Sequence, residues 1–153
     1  MCNFASKIPC IMRRKFGLVV MFGLLAMALW AKPDDICGIW IDDNKDGKTE
    51  FYKIAPNKYE AKLVWLAKSV DGDGKPLRDK RNPDKSKRND LLIGQKVMKM
   101  DWDAKEQCYI LHYAYDPKWG MTGTGKMWVK GDVMTIKAGK WGIRVTRTMD
   151  RVK

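Results

Sequence analysis

The chain has 153 residues, of which 30 are Lys or Arg and 18 are Asp or Glu, so its formal net charge is +12. This length fits a single domain with a buried core. The basic residues are spread along the chain and mixed with Asp, which excludes a separate nucleic-acid-binding arm and favours a soluble surface of basic character. Attraction to an anionic surface is the alternative that the charge leaves open.

The N-terminal segment 1–31 has the pattern of a secretory signal peptide. A basic stretch ends at Arg13, Arg14 and Lys15, and an uncharged apolar run of fifteen residues, 16–30, follows it. The run is shorter than the roughly 20 residues that a membrane-spanning helix needs, so an anchor is the weaker alternative. We therefore predict a signal-peptide helix at 1–31 and a periplasmic or secreted domain at 32–153. Removing the four basic residues of the signal leaves a net charge of +12 − 4 = +8.

From residue 36 onward, short apolar segments alternate with turn residues. In 108–115 the residues Tyr109, Leu111, Tyr113 and Tyr115 share one face, which is the period of a half-buried strand. Strands are predicted at 36–41, 49–54, 59–65, 96–102, 108–115, 122–130, 133–138 and 143–152. About eight antiparallel strands with almost no helical period indicate an all-β barrel or sandwich, and closure into a barrel would remove exposed edges.

Residues 67–90 interrupt this pattern. The segment has no apolar period and carries eight Lys or Arg, five Asp, two Gly and two Pro. We predict one long polar loop that connects two strands and is ordered by salt bridges within it.

Short motifs follow one another in order along nearly the whole of 32–153. They are Gly38-Ile39-Trp40, Leu63-Val64-Trp65-Leu66, Asp73-Gly74-Lys75-Pro76, Asp79, Asn82-Pro83-Asp84, Arg88, Leu91-Leu92-Ile93-Gly94, Tyr115-Asp116-Pro117, Gly120 and Arg151. In this order and spacing they resemble the secreted bacterial family called domain of unknown function 2147. The chain departs from that pattern at Met149, where a Trp is expected. The resemblance implies a lipocalin-like barrel outside the cytoplasm, and it implies no reaction.

Gly38, Trp40 and a C-terminal arginine also resemble the closure of a lipocalin barrel. In that closure the indole plugs one end and a guanidinium stacks on it, a cation–π contact worth about 1 kcal/mol. The partner of Trp40 would be Arg147 or Arg151. The alternative is that Trp40 is an ordinary core aromatic.

The domain is rich in aromatic residues, with six Trp and five Tyr. We predict that Trp65, Tyr113 and Tyr115 line an apolar cavity and that Arg147 binds the anionic headgroup of a small apolar or amphipathic ligand. A filled core is one alternative. The other is an envelope interaction module that uses the basic 67–90 loop to dock an anionic surface or a protein.

Catalytic chemistry finds little support in the sequence. His112 is the only histidine, no triad motif accompanies it, and its position within a strand predicts a packed structural side chain. We name no catalytic residue and no cofactor, and we favour a binding protein over an enzyme.

Two further patterns concern metals and redox state. The sequence Asp42-x-Asn44-x-Asp46-Gly47 matches the first half of a calcium loop, but Lys53 stands where the bidentate Glu is required, which favours a polar turn without a metal. Cys37 and Cys108 remain after removal of the signal, and either a disulfide or two free thiols fits them.

Overall fold

The structure, a computed structural model, describes residues 32–153. The predicted signal peptide lies outside the described residues. A short 3₁₀ helix, Pro33–Ile36, precedes the first strand, and a second, Lys85–Lys87, lies in the long loop. The strands are β1 Gly38–Asp42, β2 Gly47–Ala55, β3 Lys58–Leu66, β4 Lys96–Asp103, β5 Cys108–Asp116, β6 Met121–Lys130, β7 Val133–Lys140 and β8 Ile143–Arg151.

The eight strands form a closed antiparallel barrel in which each strand pairs with the next along the chain and β8 pairs with β1. The prediction of an all-β, eight-stranded antiparallel barrel with one long loop is confirmed. The long connection runs from the end of β3 to the start of β4. Up-and-down pairing follows from the short turns, because a hairpin places consecutive strands side by side.

The barrel has two different ends. The 3₁₀ helix Pro33–Ile36 lies at the end that carries the β2–β3, β4–β5 and β6–β7 turns, and we call this the closed end. The opposite end carries the β1–β2 turn, the long loop, and the β5–β6 and β7–β8 turns, and we call it the mouth.

Large apolar side chains fill the closed half. Side chains of alternate residues point inward along each strand, and here those residues are almost fully buried. They include Trp40, Phe51, Tyr59, Met100, Tyr109, Leu111, Met127 and Met134. Complete burial of a side chain of this size contributes on the order of 1.5–3 kcal/mol, so this half is the stable base of the fold.

The β1–β8 seam is shorter than the other strand pairings. Its register joins three residue pairs, from Trp40–Arg151 to Asp42–Met149. Strand β8 continues for six more residues, 143–148, which among the described strands pair with β7 alone. Each residue of this part of β8 is exposed.

Candidate functional site

The closed end is sealed by Trp40 and the 3₁₀ helix. The Trp40 ring is fully buried, and its indole nitrogen donates to the carbonyl oxygen of Ile36 at 2.8 Å. The guanidinium carbon of Arg151 lies 4.2 Å from the centre of the Trp40 ring. The Arg151 side chain also donates to the carbonyl oxygen of Cys37 at 2.9 Å and to that of Asp35. Of the two arginines that the sequence offered as partners, Arg151 is the one that stacks on Trp40.

Gly38 makes room for this contact. Its φ of +128° belongs to a region that side-chain-bearing residues avoid, and a Cβ there would lie 3.1 Å from a guanidinium nitrogen of Arg151. The start of β1 therefore requires glycine for both conformation and space.

Two tyrosines attach the 3₁₀ helix to the barrel. The Tyr59 hydroxyl donates to a carboxylate oxygen of Asp34 at 2.5 Å, and the Tyr109 hydroxyl donates to the carbonyl oxygen of Pro33 at 2.8 Å. Burial is the largest cause that raises the pKa of both hydroxyls, so both remain donors at neutral pH. The bond from Tyr59 lowers the pKa of Asp34. The base of the barrel is thus closed by polar contacts that the strand pattern alone does not reveal.

Arg147 points into the barrel near the mouth. It pairs directly with Ile136, and two residues further along β8 Met149 pairs with Met134, which is fully buried. Ile136 and Met149 both belong to the core, so the unbroken alternation of β8 puts Arg147 on the inner face. Its side chain is nonetheless 48% exposed. Arg147 belongs to the part of β8 that pairs with β7 alone, so solvent reaches its side chain beside the short β1–β8 seam.

The inner wall near Arg147 carries very small residues. Ala114 pairs with Gly123, and Gly125 pairs with Ala138. At Gly125 a Cβ would overlap the carbonyl oxygen of Lys137, so no larger residue fits there without moving the backbone. This stretch of wall therefore contributes only small side chains to the interior near Arg147.

Acidic residues of the β1–β2 turn lie beside Arg147. The nearest ion-pair contact, to Asp43, measures 4.0 Å, the limit of a salt bridge. Burial, followed by a hydrogen bond to Asp46, raises the pKa of Asp42, and the same bond, together with Lys118 and Arg147, lowers the pKa of Asp46. Of the two carboxyl groups that share this hydrogen bond, Asp42 is therefore the one that is more readily protonated as the pH falls. The guanidinium is only loosely paired and can accept another anion.

The long loop is fixed by a buried carboxylate. Asp79 is 1% exposed, and it accepts hydrogen bonds from the Tyr115 hydroxyl at 2.6 Å, the Asn82 amide at 2.6 Å and the Gln95 amide at 2.5 Å. The carbonyl oxygen of Asn82 in turn accepts from the Arg88 guanidinium at 2.8 Å. A buried carboxylate is tolerated when several donors compensate its lost hydration, and this network satisfies that requirement.

The other loop-motif residues shape the loop itself. Asp84 accepts from the backbone nitrogen and hydroxyl of Ser86 and so caps the 3₁₀ helix Lys85–Lys87. Gly74 has a φ of +73°, and the backbone nitrogens of Asp73 and Lys75 donate to the Asp71 carboxylate. These residues form a self-contained turn within the loop.

Three aromatic residues predicted to line the cavity lie elsewhere. A register shift after Leu63 pairs Trp65 with Lys48, whose ammonium lies 4.9 Å from the Trp65 ring on the outer face. A second shift after Leu111 pairs Tyr113 with the outward-facing Lys99. The ring of Tyr115 stacks on that of Tyr113 with a centre-to-centre distance of 6.5 Å. Each bulge moves the following residues to the opposite face, because side chains alternate strictly along a strand.

His112 occupies the second bulge and is exposed rather than packed. Its Nε2 lies 3.2 Å from a carboxylate oxygen of Asp101, and its side chain is 57% exposed. The expectation of a packed structural histidine is therefore wrong, because His112 follows the inward-facing Leu111 and alternation places it on the outer face. Cys37 and Cys108 are both free thiols in the structure, and burial raises the pKa of each.

Several site residues had no clear signal in the sequence. The role of Gln95 depends on a contact across sixteen residues, and the roles of Tyr59 and Tyr109 depend on a helix that only Pro33 and its two following aspartates announce. The Trp141-Gly142 turn did carry a signal in the sequence. Its glycine stands between two strand-like segments, where a two-residue hairpin turn usually has Asn-Gly.

The fold and the closure define a lipocalin-like barrel. The structure is similar to that of protein HP1028 of Helicobacter pylori, which belongs to the lipocalin family. The TM-score is 0.62, the sequence identity is 20%, and the match covers 78% of this chain and 84% of that one. The model of a family described as "Uncharacterized protein conserved in bacteria (DUF2147)" matches residues 38–150, so the chain belongs to this family. No curated protein matches the chain.

Within residues 32–153 no helix has the length and apolar character that crossing a membrane requires.

Proposed function

We propose that the mouth half of the barrel binds one small amphipathic anion and catalyses no reaction. The apolar part would lie against the bare wall around Ala114, Gly125 and Ala138, and the anionic headgroup would pair with Arg147. The observation that carries the proposal is an arginine on the inner face that is half exposed and has its nearest carboxylate at 4.0 Å.

The physical argument concerns partial desolvation. An ion pair that is partly enclosed is screened less than one on an open surface, so a half-exposed guanidinium still favours a carboxylate or phosphate over a neutral headgroup. A lipocalin-like barrel of eight strands is wide enough for one small ligand. The similarity to a lipocalin supports this class of ligand through the shared fold alone.

A ligand series of fixed chain length tests the proposal. We would titrate the protein with a long-chain carboxylate, the corresponding alcohol and the corresponding amine, and follow tryptophan fluorescence and native mass spectra. We expect saturable binding with the carboxylate preferred. In Arg147→Gln the dissociation constant for the carboxylate should rise about 10- to 100-fold, as expected for loss of a charge-assisted bond, while that for the alcohol changes little.

Two control variants make the result specific. Arg144→Gln removes the same charge from a residue that pairs with Gly139 on the opposite face, and its affinity should match that of the unmodified protein. Ala138→Leu narrows the interior and should weaken all ligands alike. No saturable binding of any ligand, or equal effects of the two arginine variants, would refute the proposal.

Export to the periplasm or beyond is also a proposal, supported by the signal-peptide pattern of 1–31. Mass spectrometry of the protein from its native host should find a mature N-terminus near Lys32. A chain that retains residues 1–31 in the cytoplasm would contradict it.

A further inference from the structure

Large apolar side chains are exposed together at one side of the mouth. Trp141 is 89% exposed at the tip of the β7–β8 turn, and Trp119 is 59% exposed in the β5–β6 turn. Met121 and Ile143, the first residues of β6 and β8, are also exposed. We call these four residues the mouth rim. Exposed apolar groups that cluster in this way mark interaction surfaces, whereas single ones do not.

The strand pairing shows that the two turns are neighbours. Thr124 of β6 pairs with Gly139 of β7, so the β7–β8 tip stands beside the start of β6. The Lys140 ammonium donates to the Thr122 hydroxyl at 3.1 Å, which ties the two segments together. Trp119 and Trp141 therefore belong to one surface.

The backbone conformation at the tip is unfavourable for tryptophan. Trp141 has a φ of +52° and Gly142 a φ of +84°, the conformation in which Asn-Gly is preferred. Within 32–153 the other non-glycine residues with positive φ are the polar residues Lys45, Asn57 and Gln107. A bulky residue in this conformation costs on the order of 1 kcal/mol, and its exposure offers no packing in return. An outlier of this kind points to a function outside the folded domain.

The two segments that carry the mouth rim are rich in basic residues. Segments 117–126 and 137–147 contain six Lys or Arg and no Asp or Glu: Lys118, Lys126, Lys137, Lys140, Arg144 and Arg147. The turns of the closed end differ, because they present Asn57, Glu106 and Asp132. Lys118 and Arg147 pair with Asp46 and Asp43 of the β1–β2 turn, and Lys126 pairs with Glu106. Among the described residues, Lys137, Lys140 and Arg144 form no ion pair with a carboxylate. The exposed tryptophans of the mouth rim therefore lie beside a surplus of positive charge.

We propose that the mouth rim docks onto the surface of an anionic lipid bilayer. Trp119 and Trp141 would lie at the boundary of headgroups and acyl chains, where amphipathic aromatic rings are favoured, and the surrounding cations would contact lipid phosphates. Lys140, whose ammonium lies 4.7 Å from the Trp141 ring, couples the two contributions. Docking of this kind directs the mouth toward the bilayer, and it does not require a ligand in the barrel.

Vesicles provide the test. The protein should sediment with vesicles of phosphatidylglycerol and phosphatidylcholine but only weakly with phosphatidylcholine alone, and added salt should release it. Brominated lipid in the anionic vesicles should quench tryptophan fluorescence. In Lys118→Gln/Lys140→Gln/Arg144→Gln the partition coefficient should fall on the order of 100-fold, because each cation near an anionic surface contributes about fivefold.

Trp141→Asn removes the aromatic ring without a cost to the fold. Asn suits the positive φ, so the urea midpoint should equal or exceed that of the unmodified protein, while vesicle binding should fall about tenfold. Ile54→Thr, at an exposed site of β2 near the closed end, is the control for loss of an apolar group and should bind normally.

The long loop supplies the decisive comparison. Lys80→Gln/Lys85→Gln/Lys87→Gln removes three exposed loop charges, and binding should stay within about threefold, as expected from the weaker long-range field. A loss as large as in the rim variant would overturn the proposal in favour of docking through the 67–90 loop. Absence of vesicle binding would overturn the proposal by showing that the mouth rim has no lipid partner. Self-association that Trp141→Asn abolishes would overturn it in favour of a second copy of the chain.

Discussion

Arg151 and Trp40 lock the last strand of the barrel onto the first. The guanidinium lies 4.2 Å from the indole ring and its nitrogen donates to the Cys37 carbonyl oxygen at 2.9 Å, directly beside the three-pair seam. One side chain thus completes the seal of the closed end and the closure of the sheet.

Replacing Arg151 with Lys should destabilise the fold. Lysine keeps the charge but loses the planar stacking and the fork of donors, which together should lower the free energy of unfolding by about 1–3 kcal/mol in urea denaturation. Lys153→Gln, at a side chain that is 83% exposed, is the control and should change little. Equal stability of the two variants would show that the contact contributes nothing.

Tyr115→Phe should loosen the long loop. The change removes a donor to the buried Asp79 carboxylate, and a bond to a charged group contributes on the order of 1.5–3 kcal/mol. Hydrogen exchange in 77–92 should accelerate, while exchange in β6 and β7 should not. Tyr113→Phe on the same strand is the matched control, and a change confined to global unfolding would argue against a local anchor.

Gly120→Ala should cost more than Gly142→Ala. Both glycines have positive φ, so alanine at either position should lower the free energy of unfolding by on the order of 1 kcal/mol. At Gly120 the added Cβ would also overlap the carbonyl oxygen of Arg81, whereas at Gly142 nothing lies within 4 Å. The free energies of unfolding from urea denaturation should therefore differ by about a further 1–3 kcal/mol, the usual cost of overpacking. Equal losses would mean that the loop does not press on the β5–β6 turn.

Glu60 should give the fold a stability that acid removes. Hydrogen bonding from Lys96 lowers the pKa of Glu60 below its ordinary value of 4.5. A lowered folded-state pKa contributes stability above pH 4.5 and loses it as the pH falls through the folded value. Unfolding of Glu60→Gln should therefore be easier than that of the unmodified protein at pH 7, and the difference should vanish in acid. A difference that persists in acid would indicate a packing effect instead.

Asp42→Asn and Asp46→Asn should change the stability of the fold at pH 7 in opposite directions. The pKa of Asp42 is raised, so its contribution is complete below its ordinary value of 3.8 and is lost as the pH rises through the folded value. Asp42→Asn imitates the protonated form and should raise the urea midpoint at pH 7. The pKa of Asp46 is lowered, so Asp46→Asn should reduce the midpoint at pH 7 and have no effect in strong acid. The same sign for both variants would contradict a hydrogen bond in which Asp42 is the more readily protonated carboxyl.

The sequence predicts the strands well because their signal is local. Alternation within β5 and β8 and turn residues such as Gly131-Asp132 identify the elements without any knowledge of their partners. The inner position of Arg147 could be predicted from the sequence for the same reason, since no register shift interrupts β8.

The sequence could not predict which face of the barrel Trp65, Tyr113 and Tyr115 occupy. A single extra residue inverts every following side chain, and neither bulge is marked by Gly or Pro. The Asp79 network could not be derived either, because its members approach one another only after the loop has folded against the barrel.

The seam beside Trp40 also brings the two ends of the described chain together. Val152 donates to the carbonyl oxygen of Ile39 at 2.9 Å, and the Tyr109 hydroxyl holds Pro33 at the same end. A short linker from Lys153 to Lys32, with new termini cut at the Trp141-Gly142 tip, should therefore give a circularly permuted protein with the same topology. Such a permutant would place a reporter or a surface tether at the mouth, and fusions to Lys32 or Lys153 would project from the opposite side.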